Sequence, residues 1–252
     1  MLIVFLTALG VGGATVIGAA LGFLFKKIPH RFNDIVLAFA AGVMLAAAVI
    51  GLVLPSVELG GKWALPVAVA GVFAGAMCLN LMDRAVPHLH KLSGVDQENH
   101  PAGTAQLDKV LLFVAAIAIH NLPEGIAAGV GFGTGNDGEA LTIAAGIALQ
   151  NVPEGMVIIA PMLAAGMSGK RTFVIALFTG IVEVVGTFLG YFAVTVSAAV
   201  LPFALAFAGG TMLYVISDEM IPETHSHGFS RGATYALLAG FCLMLTMDFY
   251  IG

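Results

Sequence analysis

Two short phrases, thirty positions apart and set in apolar sequence, each combine a carboxylate with neutral nitrogen and oxygen donors: His120-Asn121-Leu122-Pro123-Glu124-Gly125 and Gln150-Asn151-Val152-Pro153-Glu154-Gly155. His120 and Glu124 are four apart and Asn121 and Glu124 three apart, and Gln150, Asn151 and Glu154 repeat those intervals. On a helix each set therefore points from one face. Imidazole, carboxamide and carboxylate donors together suit borderline divalent ions such as Zn²⁺, Fe²⁺, Mn²⁺ and Cd²⁺. The absence of thiolates argues against Cu(I), and His120 argues against a site dedicated to Mg²⁺ or Ca²⁺. Zn²⁺ is the leading expectation.

A third carboxylate, Glu183, also falls in apolar sequence, and no Lys or Arg lies in any span to neutralise the three. A charge at the bilayer centre costs ~2.5 to 3.5 kcal/mol on an insertion scale, so three ionised carboxylates cost roughly 8 to 10 kcal/mol. Protonation, a water-filled cavity or cations from outside the chain would each compensate. The neighbouring nitrogen and oxygen ligands favour cations.

The elements that must position these residues are membrane helices. Of 252 residues, 59% are hydrophobic, 10% are charged and 32 are glycine, the profile of a polytopic membrane protein. The expected fold is all-α, a single membrane domain over 1–252 with eight transmembrane helices: Leu2 to Phe25, Ile35 to Val57, Ala64 to Asp83, Val110 to Gly133, Ala140 to Ala165, Thr172 to Ser197, Leu201 to Ile221 and Ala233 to Ile251. The first apolar run has no basic cluster before it and no small-residue cleavage site after it, so it is expected to be retained. Cys78 and Cys242 fall within spans as buried apolar residues.

Basic residues sort to alternate loops, with Lys26, Lys27, Arg31, Arg84, Lys91, Lys109, Lys170, Arg171 and Arg231 on one side and Lys62 on the other. The positive-inside rule makes the first side cytoplasmic and puts both termini outside. No basic patch suggests a nucleic-acid partner, and the net charge of -5 says little about others.

Glu124 and Gln150 each lie thirteen residues from Asp137, so antiparallel helices bring the two motifs to one depth near the membrane middle. Glu183 lies about a dozen residues past Lys170-Arg171, roughly 18 Å at 1.5 Å per residue, and reaches the same level. Pro123 and Pro153 each remove a hydrogen bond to the carbonyl four residues earlier, which predicts broken or kinked helices beside a cavity. Two antiparallel copies of one motif give the fold inverted-repeat character.

These paired phrases resemble the ZIP divalent-metal transporters, specifically a GufA-like prokaryotic-type branch, and the likeness covers essentially the whole chain. The resemblance implies a binuclear centre. His120, Glu124, Gln150 and Glu154 would form the first site, and Asn121, Asn151 and Glu183 the second, with Glu124 and Glu154 bridging. Met44 matches a family methionine that approaches the metal. Gln150 stands where many relatives outside this branch carry histidine, and Asn151 where some close relatives carry Asp, which leaves the second site one charge poorer. The resemblance further implies alternating access with elevator-like displacement, a homodimer, transport into the cytoplasm and no catalytic cofactor. The location it implies is the plasma membrane, the inner membrane in a Gram-negative bacterium.

Other polar groups have candidate roles along a pathway. Asp218, Glu219, Glu223, His225 and His227 cluster at the cytoplasmic end of the seventh span and would receive departing ions, while Asp248 toward the outer end of the eighth would attract arriving ones. The connector 84–109 reads as a polar cytoplasmic loop, where His88, His90 and His100 are candidates for metal capture. Gly10-Val11-Gly12-Gly13, Gly71-Val72-Phe73-Ala74-Gly75 and Gly186-Thr187-Phe188-Leu189-Gly190 read as helix-packing surfaces. A proton or monovalent-cation pathway is the alternative reading. An intramembrane metalloenzyme is a weaker one, since HExxH and a positioned nucleophile are absent.

Overall fold

A computed structural model describes residues 1–24, 29–85, 105–164 and 166–252. The described residues form helices and short connections: α1 (Leu2–Leu24), α2 (His30–Ala46), α3 (Leu54–Leu59), α4 (Ala64–Ala85), α5 (Ala105–Gly131), α6 (Asp137–Val157), α7 (Ile159–Ala164), α8 (Gly169–Val196), α9 (Leu201–Val215), α10 (Ile221–His225) and α11 (Ser230–Ile251). Among the described residues, six helical stretches are long and apolar enough to cross a membrane: Leu2–Leu24, Arg31–Leu59, Gly61–Met82, Gly169–Val196, Leu201–His225 and Ser230–Ile251. The motif-bearing helices α5 and α6 are not among those six. In α6 the apolarity is diluted by Asp137, Glu139, Gln150, Asn151 and Glu154, whereas residues 110–127 of α5 are strongly apolar in sequence.

The connector expected over 84–109 is shorter than the sequence suggested, because α4 continues to Ala85 and α5 already begins at Ala105. His88, His90 and His100 lie outside the described residues. The prolines also behave differently from expectation: α5 and α6 run through Pro123 and Pro153 as uninterrupted helix. Each forfeits one intrahelical hydrogen bond while the helix continues on both sides of it. Irregular backbone sits elsewhere. α2 widens into a π-helical segment, Ala47–Val53, just before Pro55, and α9 into another, Ile216–Met220, just before Pro222.

The start of α6 is fixed by Asn136. Its side chain accepts from the Gly138 N–H at 3.0 Å and the Glu139 N–H at 3.4 Å, and donates to the Glu139 carboxylate at 2.9 Å. This reciprocal cap, after Gly135 at φ 79°, sets how deep Gln150 and Glu154 lie along the helix. Ser168 caps α8 more simply, its hydroxyl accepting from the Arg171 N–H at 3.4 Å.

The chief packing pairs are α1 with α6, α1 with α8, α5 with α8, α4 with α9, and α2 with α11. Lipid is as apolar as a leucine core, so close backbone approach through small residues has to hold such helices together. A Cβ placed at Gly18 would lie 2.0 Å from the Val152 carbonyl oxygen, and one at Gly186 would lie 2.6 Å from that of Leu122. α1 and α8 cross reciprocally at Gly12 and Gly180, where a Cβ on either would meet the carbonyl oxygen of the other at 2.3 or 2.5 Å. Gly12 and Gly180, Gly18 and Gly186, and Gly22 and Gly190 are all 168 residues apart. The main apolar core gathers Met44 and Leu52 from the second helical stretch, Ala127 and Ala128 from α5, Ile143 and Ile147 from α6, and Leu205 and Met212 from α9. α4 and α11 present Phe73, Leu65, Leu238 and Phe249 outward, with Trp63 and Tyr250 at their ends, a pattern suited to lipid.

Candidate metal centre

Four packed helices bring most of the predicted residues together. His120, Asn121 and Glu124 on α5, Gln150 and Asn151 on α6, and Glu183 on α8 are all buried, as the shared-face spacing requires. Glu154 is half-buried. α1 contributes Thr15, fully buried among its glycines.

Three hydrogen-bonded groups make up the centre. Glu183 accepts on Oε1 from the Thr15 hydroxyl at 2.5 Å and from Asn121 Nδ2, and on Oε2 from Asn151 Nδ2 at 2.5 Å. Asn151 Nδ2 also lies 3.3 Å from the Val11 carbonyl. In the second group Gln150 Nε2 donates to Glu124 Oε1 at 2.7 Å. The third joins His120 Nε2 to Glu219 Oε1 at 2.9 Å, with Glu154 within electrostatic reach of both. Glu124 in turn feels the charges of Glu154 and Glu183, so the carboxylates share one electrostatic neighbourhood.

The donors used leave particular acceptors over. Asn121 Oδ1, Asn151 Oδ1, Glu124 Oε2 and Gln150 Oε1 are buried without a hydrogen-bond partner. A buried polar oxygen left unpaired costs about 1 to 3 kcal/mol. Several such oxygens lie together on the adjoining helices α5 and α6, and no donor among the described residues meets them. As the side chains stand, no three His, Cys, Asp or Glu residues among the described ones are gathered closely enough to hold an ion.

The structure distributes the remaining candidates unevenly. Met44 is buried in the apolar core with Ala127, Ala128 and Ile147, which flank both motifs. Glu219, grouped by sequence with the cytoplasmic end, instead reaches His120 from the π-helical segment Ile216–Met220. Asp218 and Glu223 are exposed. His225 stays local, within hydrogen-bond distance of the Ile221 carbonyl at 2.9 Å, Thr224 at 3.1 Å and Thr234 at 3.2 Å. His227 Nδ1 lies 3.1 Å from Asp34, a fully buried carboxylate on α2 that sequence reasoning had passed over. Asp248 is half-buried and near Glu139. Thr15 was also missed, because a lone threonine in an apolar helix carries no motif.

A family model described as ZIP zinc transporter matches residues 1–248. The chain belongs to the ZIP transporter family. As a member it is a multi-pass membrane transporter of metal ions, not an enzyme. It is 40% identical over 248 residues to the zinc transporter GufA of Myxococcus xanthus, covering 96% of each chain. It is 36% identical to the zinc transporter ZIPB of Bordetella bronchiseptica, over 95% of this chain and 78% of that one. The human zinc transporter ZIP11 is 33% identical, with 95% and 94% of the two chains covered.

Proposed function

We propose that this ZIP protein carries Zn²⁺, and with it Cd²⁺, Fe²⁺ or Mn²⁺, across the plasma membrane into the cytoplasm through a centre built on α5, α6 and α8. The observation that carries this reading is the set of unpaired buried oxygens on Asn121, Glu124, Gln150 and Asn151 beside an excess of carboxylates. His120, Glu124, Gln150 and Glu154 form the first site. Asn121, Asn151 and Glu183 form the second, with Glu124 and Glu154 bridging, and Met44 lies beside them. The first site is the stronger, since three glutamates cannot balance two divalent ions and Asn151 adds no charge.

The chain crosses the membrane eight times with both termini outside, the motif helices completing the six strongly apolar stretches. The recurrence of glycine contacts at an interval of 168 supports an inverted repeat in which the first three spans answer the sixth to eighth and the fourth answers the fifth. Alternating access follows from that arrangement, with α1, α5, α6 and α8 moving as one body against the rest, an elevator-like displacement. Asp248 draws ions in from outside, and Asp218, Glu223 and His225 receive them at the inner end. The working assembly is a homodimer.

Purified protein in sealed liposomes, filled with a metal-sensing dye, tests this directly. The parent is expected to admit Zn²⁺, and His120→Ala and Glu154→Ala to lose that flux. Equal flux in the parent and Glu154→Ala would remove the bridging role, and proton flux without metal would replace transport by a proton pathway.

A further inference from the structure

Thr15 differs from the buried threonines that bond within their own helices. Thr179, Thr187 and Thr211 turn their hydroxyls back to carbonyls of their own helices, at 2.9, 2.9 and 2.7 Å, as threonine in an apolar helix ordinarily does. Thr15 instead donates across the α1–α8 crossing to Glu183 Oε1 at 2.5 Å. The two residues are 168 apart, the same interval that relates Gly12 to Gly180, so they hold equivalent places on answering helices. One half of the chain supplies a carboxylate and the other the hydroxyl that neutralises its need for a donor. The position is rigidly framed, since a Cβ at Gly155 would lie 2.1 Å from the Thr15 carbonyl oxygen.

Both oxygens of Glu183 are therefore taken by donors from three other helices: Thr15 on α1, Asn121 on α5 and Asn151 on α6. Because both amide nitrogens face Glu183, the amide oxygens Asn121 Oδ1 and Asn151 Oδ1 are left as open acceptors. An ion approaching Glu183 has to displace the donors, and they return when it leaves. We propose that Thr15 is a positioning residue for the carrier between cargoes. With the two carboxamides, it holds Glu183 as a cation would, so that the unloaded centre can recross the membrane. A carboxylate of low solvation is held as well by several charge-assisted hydrogen bonds as by a counter-ion at longer range. The step that depends on Thr15 is the return, not the loaded passage, where the metal itself supplies the compensation.

This inference rests on the alternating-access reading above, and one experiment separates the two. Proteoliposomes containing the parent, Thr15→Val, Thr15→Ser or Thr15→Cys are assayed for net Zn²⁺ uptake, which needs the unloaded return, and for exchange of labelled against unlabelled Zn²⁺, which does not. For Thr15→Val, net uptake is expected to fall by about tenfold, the loss of one hydrogen bond to a charged group, while exchange stays near the parental rate. Thr15→Ser is expected to restore both. Thr15→Cys, of similar size with a weaker donor, is expected to give the same split in smaller degree, and it serves if the valine variant does not reach the membrane. Net uptake and exchange falling together in a variant that melts like the parent, or neither falling, would overturn the role. A parent that shows neither flux would overturn the transport reading itself.

Discussion

Gly125→Ala tests whether the centre depends on backbone contact between α5 and α8. The added Cβ would lie 2.2 Å from the Glu183 carbonyl oxygen and 2.9 Å from its Cα, where ordinary contact begins at 3.4 Å. The two helices must then part by about 1 Å, since backbone atoms on both sides leave no flexible side chain to yield. Asn121 lies one turn before Gly125 and Glu183 is the residue touched, so the Asn121–Glu183 hydrogen bond opens by a similar amount. Stretched beyond about 3.5 Å it is lost. A hydrogen bond to a charged group contributes about 1.5 to 3 kcal/mol, and the overpacking adds strain of about 1 to 3 kcal/mol. Initial Zn²⁺ uptake into liposomes is therefore expected to fall by roughly ten- to a hundredfold, with a lower melting temperature in detergent. Gly13→Ala is the matched control, because a Cβ there has nothing within 4 Å. If the two variants transport and melt alike, close helix approach does not set the geometry of the centre.

Asn151→Asp replaces a donor lying 2.5 Å from Glu183 Oε2 with a second carboxylate. Without metal the melting temperature is expected to drop, by a destabilisation of about 3 kcal/mol, and added Zn²⁺ to raise it more than in the parent. Identical melting curves with and without Zn²⁺ would displace Asn151 from the centre. Glu219→Ala removes the 2.9 Å partner that an ion must displace from His120 Nε2; calorimetry is expected to show Zn²⁺ binding several-fold tighter, about 1 kcal/mol after allowing for Glu219's partial exposure. Weaker binding would make Glu219 a ligand in its own right. Uptake by the parent is expected to decline from pH 7.5 to pH 5, because metal binds neutral imidazole and ionised carboxylate and protons compete for both. A rate that climbs steadily over that range would show that ligand protonation does not limit transport.

The helices and the meeting of the motifs were legible because both follow from local rules. Apolar runs of membrane length declare themselves, and residues at intervals of three and four share a face whatever surrounds them. His120, Asn121, Glu124, Gln150 and Asn151 were found that way, and all are buried where the spacing puts them. Glu219 was read as a helix-end residue because a regular α-helical count places it with Asp218 and Glu223. The π-helical segment Ile216–Met220 changes that count, and such a wide turn has no reliable mark in sequence beyond a nearby proline. Of the breaks or kinks expected at Pro123 and Pro153, a break is absent, because a proline removes one bond locally and the rest of the helix continues through it. Thr15 and Asp34 act only through partners 168 and 193 residues away, and contacts at that range are invisible to periodicity.

The pairing of His120 with Glu219 has a mechanical consequence. His120 belongs to α5, which packs closely on α8 at Gly125 and also on α6, with α8 in turn packed on α1, whereas Glu219 sits between α9, which packs on α4, and α10. In the proposed movement of α1, α5, α6 and α8 against the rest, this contact would join the moving helices to the others. Under the elevator-like displacement proposed above, any sliding of one body along the other would open or close this contact, so the state of the His120–Glu219 pair would report where the carrier stands.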